Sequence, residues 1–233
     1  MPSFIDHPSP NFEDRLGGPA PHLVILHYTG MKDGAAALKR LCDATSKVSA
    51  HYLVEEDGRI FKLVPEDRRA WHAGLSFWRG TADINSHSIG IEVVNPGHEF
   101  GYRAFPAAQM QAVAELCVDI KARHNLAADA FLAHSDIAPL RKQDPGELFD
   151  WRYLADQNIG FWPRTQAEEQ KSMPPEEAHL LLSRFGYAPP KDDAELKTTL
   201  KAFQRHYDQK NVSGELSGAT PSRLRALVRQ SGR

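Results

Sequence analysis

The sequence predicts an α/β (α+β) fold in which helices flank a central mixed β-sheet, followed by a small C-terminal three-helix domain. Two observations support this prediction. Up to about residue 163, short apolar runs such as 22–27 and 88–94 alternate with segments of helical period. Residues 164–175 are then polar and end in Pro174-Pro175, and only helical patterns follow. We therefore expect one domain over 1–163, a linker over 164–175 and a helical domain over 176–233.

The composition excludes several kinds of partner. The formal net charge is -2 over 233 residues, and the charges are spread along the chain, so neither nucleic acid nor a membrane surface is expected. No apolar stretch is long enough to span a bilayer. Cys42 and Cys117 lie far apart in apolar helical contexts, which predicts buried free thiols. The N-terminus carries no basic-then-apolar leader, so we expect a cytoplasmic protein, or a periplasmic one if a leader has been removed.

The first part of the chain predicts an extended arm followed by a buried strand. Residues 1–21 are rich in proline and glycine, which favours an extended arm. The apolar run 22–27 predicts a central strand with His27 at its end. A histidine in this position is most often a hydrogen-bonded core residue, but the ends of central strands are also where α/β sheets place their sites.

The next segments predict a helix, a hairpin and an irregular aromatic loop. Residues 35–42 are amphipathic, and the strands at 48–54 and 60–64 flank the turn signal Asp57-Gly58. Residues 69–74 contain Trp71 and are too irregular for a regular element. This loop could form a groove wall, although simple packing of the tryptophan is the more common case.

A glutamate lies inside the second apolar strand. Glu92 stands among Ile, Val and Gly in residues 85–94, where a carboxylate is costly unless it is paired or functional. It is therefore a candidate general base. The alternative is an outward-facing residue on an edge strand, which the alternating pattern permits.

After a helix over 106–124 and a short strand over 130–133, a segment carries His134, Lys142 and Asp144. Two prolines in residues 133–146 predict a loop of fixed shape rather than a helix. A solvated surface loop is the simpler interpretation. However, His27, His134 and Asp144 together form an N, N, O donor set of the kind that holds catalytic zinc. Glu92 could then serve as the base, and Lys142 could face a developing oxyanion.

Several motifs in order give the chain a family resemblance. They are His27-Tyr28-Thr29, Ser49-Ala50-His51-Tyr52, Ala70-Trp71-His72-Ala73-Gly74, Ser88-Ile89-Gly90-Ile91-Glu92, and Ala133-His134 with Lys142-Gln143-Asp144-Pro145-Gly146. From His22 to about Trp151 the chain resembles the zinc-dependent N-acetylmuramoyl-L-alanine amidases of the type-2 family, whose fold peptidoglycan-recognition proteins share. Residues 182–187, 202–207 and 214–216 resemble a three-helix peptidoglycan-binding-like domain.

The resemblance implies zinc ligands at His27, His134 and Asp144 and catalytic residues at Glu92 and Lys142. We also expect substrate contacts at four further positions, namely Tyr28, Trp71, His72 and Asn85. The implied activity is hydrolysis of the amide between N-acetylmuramic acid, intact or 1,6-anhydro, and L-alanine, in cell-wall turnover or recycling. The expected partners are peptidoglycan or muropeptides, and we expect a monomer. A non-catalytic recognition module is one alternative, although the intact donor set argues against it. A zinc hydrolase of another amide is a second.

Overall fold

A computed structural model describes residues 2–233 and shows a six-stranded mixed sheet with the strand order β1-β5-β4-β7-β3-β8. A two-stranded ribbon of β2 and β6 lies beside it. The strands are β1 (Phe4–Asp6), β2 (Phe12–Asp14), β3 (Leu23–Tyr28), β4 (Tyr52–Val54), β5 (Ile60–Lys62), β6 (Arg68–Ala70), β7 (Ser88–Val93) and β8 (Phe131–Ala133).

The helices lie around this sheet and in the C-terminal part of the chain. They are α1 (Gly34–Leu41), α2 (Ile84–His87), α3 (Gly97–Phe100), α4 (Ala107–His124), α5 (His134–Ile137), α6 (Trp151–Asp156), α7 (Pro175–Phe185), α8 (Asp193–Tyr207) and α9 (Thr220–Gln230). Short 3₁₀ turns occupy Ala128–Ala130 and Ala167–Gln170. Within residues 2–233, no helix combines the length and apolar character needed to cross a bilayer.

The strand directions explain where a site can form. Strand β3 pairs in parallel with β7 on one side and with β8 on the other. The carboxyl ends of these three strands therefore meet at one edge of the sheet, where open α/β sheets bind ligands. In the β3–β7 register His27 lies opposite Glu92, and His134 directly follows β8.

The two faces of the sheet are buried against different parts of the chain. Because side chains alternate along a strand, Val24 and Leu26 join the cluster formed with helix α4. Leu23 and Ile25 point the other way and belong to a second cluster, which also contains Phe185 and other apolar residues of the C-terminal helices. The three helices that the sequence predicts are present, and their apolar residues share a cluster with side chains of this sheet face.

Several local expectations change in the structure. The predicted α/β fold is confirmed, and the hairpin is present as β4 and β5. The predicted extended arm contains two strands, because β1 pairs with β5 and β2 with β6. The expectation that the segment after residue 133 contains no helix is wrong, since α5 forms one turn before Pro139 interrupts it. Both cysteines are free; Cys117 is buried as predicted, whereas Cys42 is only half-buried.

Candidate active site

The three predicted metal ligands lie together at the carboxyl edge of the sheet. His27 comes from β3, His134 begins α5, and Asp144 lies on the loop that follows. The Nδ1 atoms of the two histidines are 2.9 Å apart, and the Asp144 Oδ2 atom lies 3.1 Å from that of His27 and 2.9 Å from that of His134. All three residues are buried. These donor atoms could hold one metal ion.

A chain of hydrogen bonds fixes the proton positions on His27. The Ser88 hydroxyl donates to the Ile84 carbonyl oxygen at 2.7 Å, so its oxygen is free to accept from His72 Nε2 at 3.3 Å. His72 Nδ1 then accepts from His27 Nε2 at 3.1 Å. The Ile84 carbonyl oxygen at the end of this hydrogen-bond series can only accept, so every bond in the series donates in the direction from His27 to Ile84. The Nδ1 lone pair of His27 is therefore left for a metal.

His134 has an equivalent partner. Its Nε2 donates to the Ala73 carbonyl oxygen at 3.0 Å, which leaves Nδ1 as the free donor atom toward a metal. The same carbonyl accepts from the Arg141 guanidinium. The loop that contains Ala73 therefore orients a ligand.

Two residues hold that loop against the sheet. The side-chain oxygen of Asn85 accepts from the backbone N–H groups of His72 at 3.1 Å and Ala73 at 2.8 Å. A Cβ on Gly90 would lie 2.4 Å from the His72 ring, so only glycine leaves room for this ring position. Asn85, predicted to contact substrate, lies behind the cavity wall and supports it.

The protonation states suit a metal site. Burial and the neighbouring His134 lower the pKa of His27 to about 4, and burial with three nearby histidines lowers the pKa of His72 well below its usual range. Burial alone raises the pKa of Asp144, but His134 and His27 outweigh it and hold that pKa below its usual range. Neutral imidazole and ionised carboxylate are the forms that coordinate metals.

Glu92 faces the same cavity from a central strand, not from an edge strand. Its Oε2 atom is buried and has no hydrogen-bond partner among residues 2–233. Burial, and then the charge of Asp144, raise the pKa of Glu92 well above its usual range, while Lys142 opposes this effect. Burial of a carboxylate without a hydrogen-bond partner costs free energy, and no hydrogen bond to this Oε2 atom among the described residues offsets the cost. Such a group therefore indicates a functional site.

The cavity has a volume of about 620 Å³. Its lining contains Lys142 and three of the predicted substrate-binding residues, Tyr28, Trp71 and His72. Trp71 is half-buried, and its backbone N–H donates to the Ser49 hydroxyl at 2.8 Å. The backbone of Trp71 is therefore held in place, and part of the residue stays accessible to a ligand.

Sequence reasoning missed two residues of the cavity wall. His98 bonds the Tyr28 hydroxyl at 3.1 Å and stacks on Tyr102 with ring centroids 4.2 Å apart. Arg141 donates to the Leu75 carbonyl oxygen at 2.8 Å. A local signal for His98 is the preceding Gly97, which has a positive φ of 70° and where an added Cβ would lie 2.6 Å from the Tyr28 ring, so a larger residue is disfavoured there.

Fold and site together define a class of protein: an α/β enzyme whose cavity combines a His-His-Asp metal-binding group with a buried carboxylate. The N-acetylmuramoyl-L-alanine amidase family matches residues 17–147. The chain belongs to this family.

Two relatives match nearly the whole chain. The N-acetylmuramoyl-L-alanine amidase AmiD of Escherichia coli K12 is 38% identical over 232 residues, which cover 90% of this chain and 83% of AmiD. The structure of E. coli AmiD with anhydro-N-acetylmuramic acid-L-Ala-D-γ-Glu-L-Lys has a TM-score of 0.83 at 35% identity, covering 94% of this chain and 93% of that one. AmpDh3 from Pseudomonas aeruginosa in complex with anhydromuramic pentapeptide has a TM-score of 0.84 at 34% identity, with 92% and 93% covered.

Proposed function

We propose that the protein is a zinc-dependent amidase that hydrolyses the bond between N-acetylmuramic acid and L-alanine in peptidoglycan fragments, for cell-wall turnover or recycling. The observation that carries the proposal is the complete donor set of His27, His134 and Asp144 beside the unpartnered carboxylate of Glu92. Membership of the amidase family and similarity to two proteins solved with anhydro-muramyl peptides support the substrate class.

Zinc fits the donor set. Two imidazole nitrogens and one carboxylate oxygen are typical of catalytic zinc sites, which keep a further position open. Ligand atoms about 2.1 Å from a tetrahedral ion lie roughly 3.4 Å from one another, close to the 2.9–3.1 Å separations of the three donor atoms. When bound, zinc polarises a carbonyl oxygen and lowers the pKa of water.

Glu92 moves the proton in the proposed reaction. It takes a proton from the water that attacks the amide carbonyl carbon, and its raised pKa makes the protonated form stable enough to donate. The proton then goes to the nitrogen of L-alanine as the C–N bond breaks. One carboxylate therefore serves both halves of the hydrolysis.

Lys142 and the cavity wall bind charge and substrate. The Lys142 ammonium, which lines the cavity, stabilises the negative charge that develops on the carbonyl oxygen. Tyr28 and Trp71 offer ring faces for the sugar and the stem peptide. The proposal covers both intact and anhydro-muramyl substrates.

Digestion of matched muropeptides tests the proposal. Purified zinc-loaded protein is incubated with intact and 1,6-anhydro muropeptides that carry the same stem, and the products are identified by mass spectrometry. We expect a free stem peptide with an amino-terminal alanine and a sugar that retains its lactyl group. Products cut within the stem would indicate a different zinc hydrolase, and binding of the muropeptide without products would indicate a recognition module.

A further inference from the structure

A buried cluster joins the C-terminal helices to the turn that begins with His134. Asp136, on this turn, is fully buried and accepts three hydrogen bonds. The Tyr187 hydroxyl donates to its Oδ1 atom at 2.6 Å, and His206 Nδ1 donates to its Oδ2 atom at 2.7 Å. The backbone N–H of Ala133 donates to the same Oδ2 atom at 2.8 Å. Two of the three donors therefore come from the C-terminal helical part of the chain.

The turn connects two of the proposed zinc ligands. His134 is its first residue, and the backbone N–H of Ser135 donates to the backbone carbonyl oxygen of Asp144 at 3.0 Å. Asp136 closes the turn through its bond to Ala133. A shift of this turn would consequently displace both His134 and Asp144, whereas His27 lies on β3 and would stay in place.

His206 is held rigidly for this contact. Its ring stacks on Trp151 with centroids 3.7 Å apart and on Tyr207 at 3.8 Å. Its Nε2 atom is buried and makes no hydrogen bond within residues 2–233, so the bond to Asp136 is the polar contact that this imidazole makes there. Burial of an imidazole with one hydrogen-bond partner costs free energy. Loss of the bond to Asp136 would leave the buried ring with no polar partner among the described residues.

The Tyr187 hydroxyl is a reliable donor to the same carboxylate. Burial and the charge of Asp136 raise the pKa of Tyr187 well above its usual range, so the hydroxyl keeps its proton. A charge-assisted hydrogen bond of this kind is stronger than a neutral one.

We propose that Tyr187 and His206 are positioning residues for the metal site, because their bonds to Asp136 hold the turn that sets the separation of His134 and Asp144. The inference rests on the proposed zinc function. It gives the C-terminal helices a role in the amidase site itself, through residues that do not line the cavity.

The zinc affinity of the protein with residues 1–233 tests this inference. The dissociation constant is measured by competition with a chromophoric chelator for the parent and for Tyr187→Phe, His206→Ala and His206→Asn. Outer-shell changes typically weaken metal binding about 10–100-fold, so we expect about ten-fold weaker binding for Y187F and for H206A. Asparagine places an N–H close to the position of His206 Nδ1, so H206N is expected to restore affinity to within about three-fold of the parent.

Gln209→Ala is the matched control. The Gln209 side chain donates to the backbone carbonyl oxygen of Phe149 at 2.6 Å. Removing this side chain therefore breaks another hydrogen bond between the C-terminal helical part and the rest of the chain, while the bonds to Asp136 stay intact. We expect Q209A to lower the melting temperature of the metal-free protein but to bind zinc like the parent. Parent-like affinity in both Y187F and H206A, or an equal loss in Q209A, would overturn the inference. If H206A does not fold, Y187F decides the question alone. A parent protein that binds no zinc would instead overturn the proposed function.

Discussion

Replacement of Glu92 by glutamine separates its catalytic role from its structural cost. The two side chains have nearly the same shape, but the amide can neither accept a proton from water nor pass one to the leaving nitrogen. General acid–base catalysis contributes about 10²–10⁴-fold to rate, which corresponds to roughly 3–5 kcal/mol in the activation barrier. We therefore expect kcat of Glu92→Gln to fall by at least about 10²-fold while zinc binding is retained.

The same substitution is expected to stabilise the metal-free protein. The pKa of Glu92 is raised in the folded state, so folding is disfavoured once the pH exceeds the ordinary glutamate pKa, and the penalty grows until the pH passes the folded value. Glutamine removes this penalty. We expect E92Q to raise the free energy of unfolding by about 1 kcal/mol or more at pH 7, and by nothing measurable near pH 4.

The assay combines kinetics with urea denaturation. Release of stem peptide gives kcat, and unfolding of the metal-free protein at pH 4 and pH 7 gives the stability difference. Glu99→Gln is the control, because Glu99 also lines the cavity but is exposed, so both quantities should stay at parent values. If E92Q turns over substrate at the parent rate, Glu92 is not the base. If E92Q is active at a reduced rate but less stable than the parent at pH 7, the account of its buried carboxylate is wrong.

Three further predictions test the surroundings of the site. His134→Ala should lose both zinc and activity, as measured by metal analysis and stem-peptide release; retention of one equivalent of zinc would contradict the assignment. Gly90→Ala places a methyl group against the His72 ring and should cut kcat/KM by more than about ten-fold while destabilising the fold by roughly 1–3 kcal/mol; unchanged kinetics would show that His72 does not orient His27. Burial raises the pKa of Glu66, but Arg123, His124 and Tyr52 outweigh it and lower that pKa to about 2. Glu66 should therefore contribute about 1–2 kcal/mol above pH 4.5 that is lost as the pH falls toward 2, and Glu66→Gln should remove this part of the acid dependence in urea denaturation.

The sequence predicted the donor set because the chemistry and the spacing of strands constrained it. His27 ends a strongly apolar run and His134 follows another, and parallel strands bring such ends together. The alternation of side chains along the strand did not decide whether Glu92 is a buried base or an outward-facing residue, since a glutamate on an edge strand gives the same pattern. Pairing of β7 with both β3 and β4 removes that ambiguity, and pairing is a long-range property.

What the sequence did not reveal depends on contacts between distant segments. Nothing near Asn85 or Ser88 indicates that they support His72, because these partners meet only in the folded sheet. The proline-rich arm was predicted only to be extended, yet Arg15 inserts its buried guanidinium among the backbone carbonyl groups of residues 66, 85, 86 and 88. A single turn such as α5 is too short to leave a periodic signal.

The apolar cluster that Leu23 and Ile25 share with Phe185 bears on protein engineering. Chimeras are commonly built by exchanging a tail at a polar connection such as residues 164–175. Here residues 176–233 contribute to an apolar cluster that begins at β3, so a graft that does not reproduce these apolar residues would expose part of that cluster to water. A new binding module is therefore better added to a chain that keeps residues 176–233 than exchanged for them.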